Sequence, residues 1–275
     1  MRIKIASHSG FCFGVKRAIN IAERTLKESR HTNNTYSLGS IIHNPQVVGD
    51  LSKKGLKVIS GINNIKKGAV IISSHGATIE VIEKIKKKRL DLIDATCPFV
   101  KNVHNIVRDL KSSGYRIVII GDKKHPEVKA LLGLVGREAK SNKIAVISQT
   151  TQSKDNYLKG VAGLLKKDFS ELRIFNTICN DTAHRQALTR DLLKECDVMV
   201  VVGGKNSANT RRLWHICKER GVDSYHIETD AELKEEYFRR KGCAGVVSGA
   251  STPDELVKKV VKKIKELNLK RKRGK

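Results

Sequence analysis

The sequence is short of acids, aromatics and prolines, and each shortage excludes something. Only 28 Asp and Glu face 54 Lys and Arg, a formal charge of +26 that points to an anionic substrate, an acidic protein partner or a nucleic acid. Aromatic residues amount to Phe 6, Tyr 5 and Trp 1, too few for the stacking platforms of single-strand binders. Nucleic acid is therefore not expected as a partner, and the lysine runs at 86–89 and 270–275 read as solvated surface. The longest apolar runs, such as Val198 to Val202, fall far short of the ~20 residues that span a bilayer, so no membrane segment is expected. RIKIA at the start is too short for a signal peptide, and the expected location is the cytoplasm. With four prolines and no Pro- or Gly-rich linker, the chain is expected to pack as one body. Neither G-x-x-x-x-G-K-[ST] nor G-x-G-x-x-G occurs, so nucleotide folds lack their signature. No C-x-x-C occurs either, which removes the usual frame of a structural zinc site.

Strand and helix patterns alternate along the whole chain, which predicts a mostly parallel α/β architecture. The stretch LIDATCPFVKNVHN at 92–105 reads as a short strand delivering Cys97, with Pro98 opening an amphipathic helix. RIKIASHSGFC places Cys12 before a helix in the same way, and LRIFNTIC does so for Cys179. Spacings of 85 and 82 residues between these cysteines indicate a threefold internal repeat. The expected divisions are 13–97, 98–178, and 179–267 joined by 1–12, with 268–275 as a basic tail. The N-terminal strand is expected to complete the third sheet.

Polar loops at strand ends fall in phase with the cysteines. His43, His125 and Asn209 lie 31, 28 and 30 residues beyond Cys12, Cys97 and Cys179. If a pseudo-threefold axis relates the repeats, these loops meet in one cavity, where open α/β sheets bind ligands. Three thiolates there would hold a zinc ion or three irons of a [4Fe–4S] cluster, leaving an open position. Cys196, Cys217 and Cys243 lack the strand–Cys–helix context and read as small buried hydrophobes. His43, His75 and His125, with Thr150, Ser207, Asn209 and Ser251, form a donor set suited to a diphosphate. Glu127 would be an acid inside that anion site, kept protonated by the neighbouring charge, or an ordinary helix N-terminal glutamate.

GFCFGVKRA at 10–18, IIHNPQVV at 41–48, SSHG at 73–76, DATCPFVKNVH at 94–104, HPEV at 125–128, SQTTQS at 148–153, GGKNSANT at 203–210 and SGASTP at 248–253 occur in one order. The chain thereby resembles the 4-hydroxy-3-methylbut-2-enyl diphosphate reductases of the methylerythritol phosphate isoprenoid route. That resemblance implies a trefoil of three α/β repeats around one [4Fe–4S] cluster, held by Cys12, Cys97 and Cys179 with the fourth iron open. It implies diphosphate binding by His43, His75, His125, Ser207, Asn209 and Ser251. Glu127 becomes the proton donor, and Thr150 serves the hydroxyl end. The implied reaction is a two-electron reductive dehydroxylation giving isopentenyl and dimethylallyl diphosphate. Electrons would come from an external ferredoxin or flavodoxin, acidic carriers that the basic surface would steer. Two positions depart from the family pattern. Asp181 replaces a small residue, where it would shift a cluster potential or cap the helix, and Ala208 replaces a serine, removing one phosphate contact.

Overall fold

A computed structural model of the chain describes residues 1–28, 34–137 and 139–273, the side chains from 270 onward excepted. Its contacts divide the chain into two compact units, Phe13–Cys179 and Met1–Cys12 with Asn180–Lys275.

The unit Phe13–Cys179 holds two sheets. Strands β2 (Thr35–Leu38), β3 (Lys57–Ile59), β4 (Ala69–Ile72) and β5 (Asp91–Asp94) pair in the order β3-β2-β4-β5, all parallel. Strands β6 (Arg116–Ile120), β7 (Lys143–Ser148) and β8 (Glu171–Ile174) pair in the order β6-β7-β8, again parallel. The helices of this unit are α1 (Phe13–Lys27), α2 (Pro45–Lys53), α3 (Ile79–Lys87), α4 (Pro98–Ser112), α5 (Pro126–Val135) and α6 (Lys154–Leu164).

The other unit holds one sheet. Strands β9 (Val198–Val202), β10 (Asp223–Ile227) and β11 (Cys243–Ser248) combine with the N-terminal β1 (Arg2–Ile5) in the order β1-β11-β9-β10. The expected closure of the third sheet by the N-terminal strand is observed: Arg2 to Ile5 pair in parallel with Cys243 to Val246. Helices α7 (Asn180–Leu192), α8 (Ala208–Glu219) and α9 (Asp254–Arg273) cover it. The basic 268–273 segment read as a tail is thus helical in its backbone, while 274–275 lie outside the described residues.

The strand sequences explain this arrangement. Val198 to Val202 are fully buried, as are Ala69 to Ile72, because central parallel strands are covered on both faces and read as unbroken apolar runs. Val257, Val260, Val261 and Ile264 lie at helical spacing on one face of α9 and pack on β9 and β11. Each such valine or isoleucine contributes about 1.5–3 kcal/mol by leaving water. All four prolines stand at helix starts: Pro45, Pro98 and Pro126 in first turns and Pro253 just before α9.

The sheets share one strand scheme. In two of them the first strand of the repeat is flanked by an edge strand (β3 or β10), then by the third strand, then by the strand leading to a cysteine (β5 or β1). Among the described residues, the sheet of β6-β7-β8 has no such outer edge strand. Some boundaries shift from expectation. TYSLGSII does not stay extended; β2 ends at Leu38 because Gly39 turns at φ +67°. KNSANT is only partly a loop, since Ser207 caps α8 and its Oγ accepts from the Thr210 N–H at 3.3 Å.

Candidate active site

Every candidate site residue from the sequence follows the carboxyl end of a parallel strand, the edge at which α/β sheets bind ligands. Three backbone bonds repeat across the sheets. Cys97 N–H donates to the Ser74 carbonyl at 3.0 Å, Cys179 N–H to the Thr150 carbonyl at 2.9 Å, and Cys12 N–H to the Ala250 carbonyl at 3.0 Å. In each case the acceptor lies two residues beyond the neighbouring strand's last residue. The three cysteines are thus presented by one repeated backbone device, and all three are partly exposed. Cys196, Cys217 and Cys243 are buried within one apolar cluster, as expected from their context.

In the unit Phe13–Cys179, Cys97 stands at the N-cap of α4. Burial raises its thiol pKa, while the N–H groups of Phe99 and Val100 and the Arg17 cation act against that rise. Arg17 also donates from Nη1 to the Thr96 carbonyl at 3.1 Å, tying α1 to the cysteine loop. Burial outweighs these groups, so the free thiol is held neutral, and the thiolate that a metal ligand requires would form only with the metal in place.

His43, His75 and His125 form one cluster. The rings of His43 and His75 stack at 4.2 Å between centroids, and His125 stands edge-on to both at 5.5 and 5.2 Å. One ring nitrogen from each lies within 4.8 Å of the others, close enough to share one ion. Burial and the two neighbouring imidazoles hold the His75 pKa well below its ordinary value, so the resting ring is neutral. His125 is also the N-cap of α5; its Nδ1 accepts from the Glu127 N–H at 3.2 Å, which leaves Nε2 as the nitrogen carrying the proton. The cluster can therefore donate N–H groups to an anion, and His75 can take up a proton as the anion arrives.

Glu127 is 1% exposed in the first turn of α5. Its Oε1 accepts from Thr150 N–H at 2.7 Å, and its Oε2 accepts from Thr150 Oγ1 at 2.8 Å. Burial pushes its pKa up to about 7, although both Thr150 bonds favour the carboxylate. A carboxyl poised there is a general acid near neutral pH. The helix-start reading of HPEV holds as well, since α5 begins at Pro126.

In the other unit, Ser207, Asn209 and Ser251 are buried beyond β9 and β11. Neither side-chain polar atom of Asn209 has a hydrogen-bond partner among the described residues, and Thr210 Oγ1 has none either. A Cβ at Gly203 would come within 2.5 Å of Thr252 Oγ1, and one at Gly249 would collide with Thr210 Oγ1. These two loops can approach so closely only because glycine occupies both positions. A buried amide left unmet in this way is a signature of a ligand site.

Sequence reasoning missed the device that holds the Cys12 loop. Arg185, 2% exposed, donates to the carbonyls of Gly10 at 2.8 Å, His8 at 3.2 Å and Ser248 at 3.1 Å, and to Asp181 Oδ2 at 2.8 Å. Asp181 Oδ1 meets His8 Nε2 at 2.6 Å. Burial acts to raise the Asp181 pKa, but Arg185 and His8 outweigh it and hold the carboxyl below its ordinary value. Asp181 is thus an ion-pair partner inside α7 rather than its cap. The i,i+4 spacing of Asp181 and Arg185 was visible in the sequence; the contact with His8 was not.

A sequence model of the family described as LytB protein matches residues 3–265. The chain is 43% identical over 281 residues to the 4-hydroxy-3-methylbut-2-enyl diphosphate reductase of Aquifex aeolicus (strain VF5), covering 96% of each chain. It is 45% identical over 279 residues to the protein of that name from Campylobacter hominis, covering 96% of this chain and 98% of the relative. Its fold is similar to a solved (E)-4-hydroxy-3-methyl-but-2-enyl diphosphate reductase described as the terminal enzyme of the non-mevalonate pathway. That match has a TM-score of 0.68 and 43% identity, covering 97% of this chain and all of the other. It is also similar to the E-1-hydroxy-2-methyl-but-2-enyl-4-diphosphate reductase of Plasmodium falciparum, with a TM-score of 0.88 and 29% identity over 95% of this chain and 87% of the other.

Proposed function

The chain belongs to the LytB protein family, and we propose that it catalyses the reaction for which its relatives are named, reduction of 4-hydroxy-3-methylbut-2-enyl diphosphate. The products are isopentenyl and dimethylallyl diphosphate. The overall change consumes two electrons and two protons and releases water.

An iron–sulfur group is the cofactor of this family, and the residues present suit it. Three partly exposed cysteines, each tied through its N–H to the adjacent strand-end loop, are the observation that carries this reading. Cys12, Cys97 and Cys179 would hold one [4Fe–4S] cluster with its fourth iron free of protein ligands. When bound, the cluster supplies the electrons and a Lewis-acidic iron for the substrate hydroxyl.

The remaining roles fall to side chains. His43, His75 and His125 donate to the diphosphate, and His75, neutral at rest, takes up a proton as that charge arrives. Ser207, Asn209 and Ser251 supply neutral donors, and the unmet Asn209 amide has capacity to spare. Glu127 delivers a proton from a carboxyl oxygen to the departing hydroxyl, and Thr150 Oγ1 orients that carboxyl.

The repeat boundaries follow the cysteines, at 13–97, 98–178 and 179–267 with 1–12, because the last strand of each sheet leads to one of them. Electrons come from an external carrier, a ferredoxin or flavodoxin, whose acidic surface complements a chain of charge +26. The enzyme works in the cytoplasm; among the described residues no helix is long and apolar enough to cross a membrane.

Anaerobic purification with iron and sulfide analysis, followed by Mössbauer spectroscopy with and without substrate, tests the reading. The expected result is about four irons per chain, one distinct from the rest and altered by substrate. Cys97→Ser is expected to lose the bound iron and sulfide as a whole, and Cys217→Ala to keep them. Zinc in place of iron, or a cluster indifferent to substrate, would overturn the proposal.

A further inference from the structure

We infer that Cys196 and Cys243 form a redox-active dithiol, an oxidation site at which hydrogen peroxide closes a disulfide between the segment before β9 and the start of β11. The proposed catalytic chemistry uses neither sulfur, so the inference stands apart from it. The two Sγ atoms of the free thiols lie 3.3 Å apart. A disulfide holds its sulfurs at about 2.0 Å, so closure asks them to approach by only about 1 Å.

The backbone beneath the two thiols is already fixed side by side. Asp197 N–H donates to the Cys243 carbonyl at 3.0 Å, and Asp197 Oδ2 accepts from the N–H groups of Gly242 and Cys243, each at 2.8 Å. One residue further on, Val198 and Ala244 pair in the parallel ladder. Neighbouring strands run about 4.8 Å apart, which puts these residues within the Cα separation that a disulfide spans. Gly245, two residues beyond Cys243, shares its face of β11. A Cβ there would stand 3.2 Å from Cys196 Sγ, so the glycine leaves the sulfur room.

The pair is covered, and the cover is thin. Cys196 is 5% and Cys243 2% exposed, yet the side chain of Glu195 beside them is more than half exposed and ion-pairs with Lys4 at the surface. Burial pushes the Cys196 pKa up to about 12, with the Cys243 thiol adding to the rise and the Lys4 cation opposing it. The attacking thiolate is therefore scarce, and the pair answers to an oxidative load rather than to traces of oxidant. Both cysteines lie at the amino ends of their strands, whereas the Cys12 N–H meets Ala250 beyond the carboxyl end of β11. The six residues of β11 set those ends roughly 20 Å apart, too far for Cys12 to compete.

The chemistry balances. One sulfur takes an oxygen from peroxide, giving a sulfenic acid and one water; the other sulfur displaces that oxygen as a second water. Two thiols and one peroxide become one disulfide and two waters, and the two electrons lost by sulfur are gained by peroxide. The bridge spans 47 positions of the chain and ties together two strands of one sheet, so it restrains the unfolded chain and stabilises the folded one.

The test treats the anaerobically purified holoenzyme with peroxide, quenches it with catalase, alkylates it in denaturant and digests it with trypsin. The expected product joins fragments 195–205 and 242–258 and is about 2 Da lighter than the two thiol fragments together. Cys217→Ala, in the same apolar cluster, should keep the bridge, and Cys196→Ser should leave Cys243 free to be alkylated. Dithiothreitol added after oxidation should lower the melting temperature by at least about 5 °C, a drop that Cys196→Ser should not show. A bridge that forms only when peroxide is added to the denatured chain, pairing of Cys196 with Cys217 instead, or no joined fragment at millimolar peroxide would overturn the site.

Discussion

The protonation of Glu127 sets how the reaction should respond to pH. The carboxyl has a pKa of about 7 because burial outweighs the two Thr150 hydrogen bonds that favour its charged form. The neutral fraction that can donate a proton is then roughly 90% at pH 6 and roughly 10% at pH 8. Since kcat/KM reports the free enzyme, it should fall about tenfold across that interval. The terminal phosphate of the substrate titrates near pH 6 as well, so the informative quantity is the ratio of wild type to Glu127→Gln. That ratio is expected to be about 10²–10⁴ at pH 6, the usual worth of a positioned acid, and to shrink about tenfold by pH 8. The assay is steady-state reduction with a chemically reduced mediator, which removes carrier docking from the rate. Stability supplies a second readout. The folded pKa lies above the ordinary 4.5, so ionising Glu127 costs the folded state about 3 kcal/mol, and this stability is lost as pH rises from about 4.5 to 7. Glu127→Gln should therefore gain on wild type in melting temperature over that window. A ratio independent of pH, or the same fall in the variant, would refute the assignment of the acid.

Three further expectations follow from other parts of the molecule. Asn209→Ala removes an amide with no partner among the described residues, so it should raise KM at least tenfold while leaving the melting temperature unchanged or higher; steady-state kinetics with calorimetry would show both. Arg185→Met strands the Asp181 carboxylate and three carbonyls, at a cost of about 3–5 kcal/mol, and thermal unfolding should move down by about 10 °C. Reduction by an acidic carrier should slow steeply between low and physiological salt, given a charge of +26, and a salt-independent stopped-flow rate would discard electrostatic steering.

The candidate site was largely legible in the sequence because the residues proposed for it sit in short local motifs. A strand, a cysteine and a helix start within a few residues of one another, so the register of β5, Cys97 and Pro98 needs no distant information. The same holds for Asn44 and His125, whose prolines mark the starts of α2 and α5. Boundaries were less legible where one residue decided them. Gly39 ended β2 early, and Ser207 started α8 early enough to bring Asn209 into a helical turn.

By itself, then, the sequence determined the parallel α/β class, the periodic placement of Cys12, Cys97 and Cys179, and the polar loops in phase with them. These depend on strand and helix patterns and on spacing, which are properties of neighbouring residues. The tertiary structure decided everything that depends on desolvation and on partners far along the chain. Burial in the first turn of α5 makes Glu127 an acid with a pKa of about 7 rather than an ordinary surface carboxylate. Packing brings His8 to Asp181 across 173 residues and the first strand beside β11. Burial also leaves the Asn209 amide without a partner among the described residues, and no local pattern could foretell that, because the water that would have satisfied it is excluded only once the chain has closed over it.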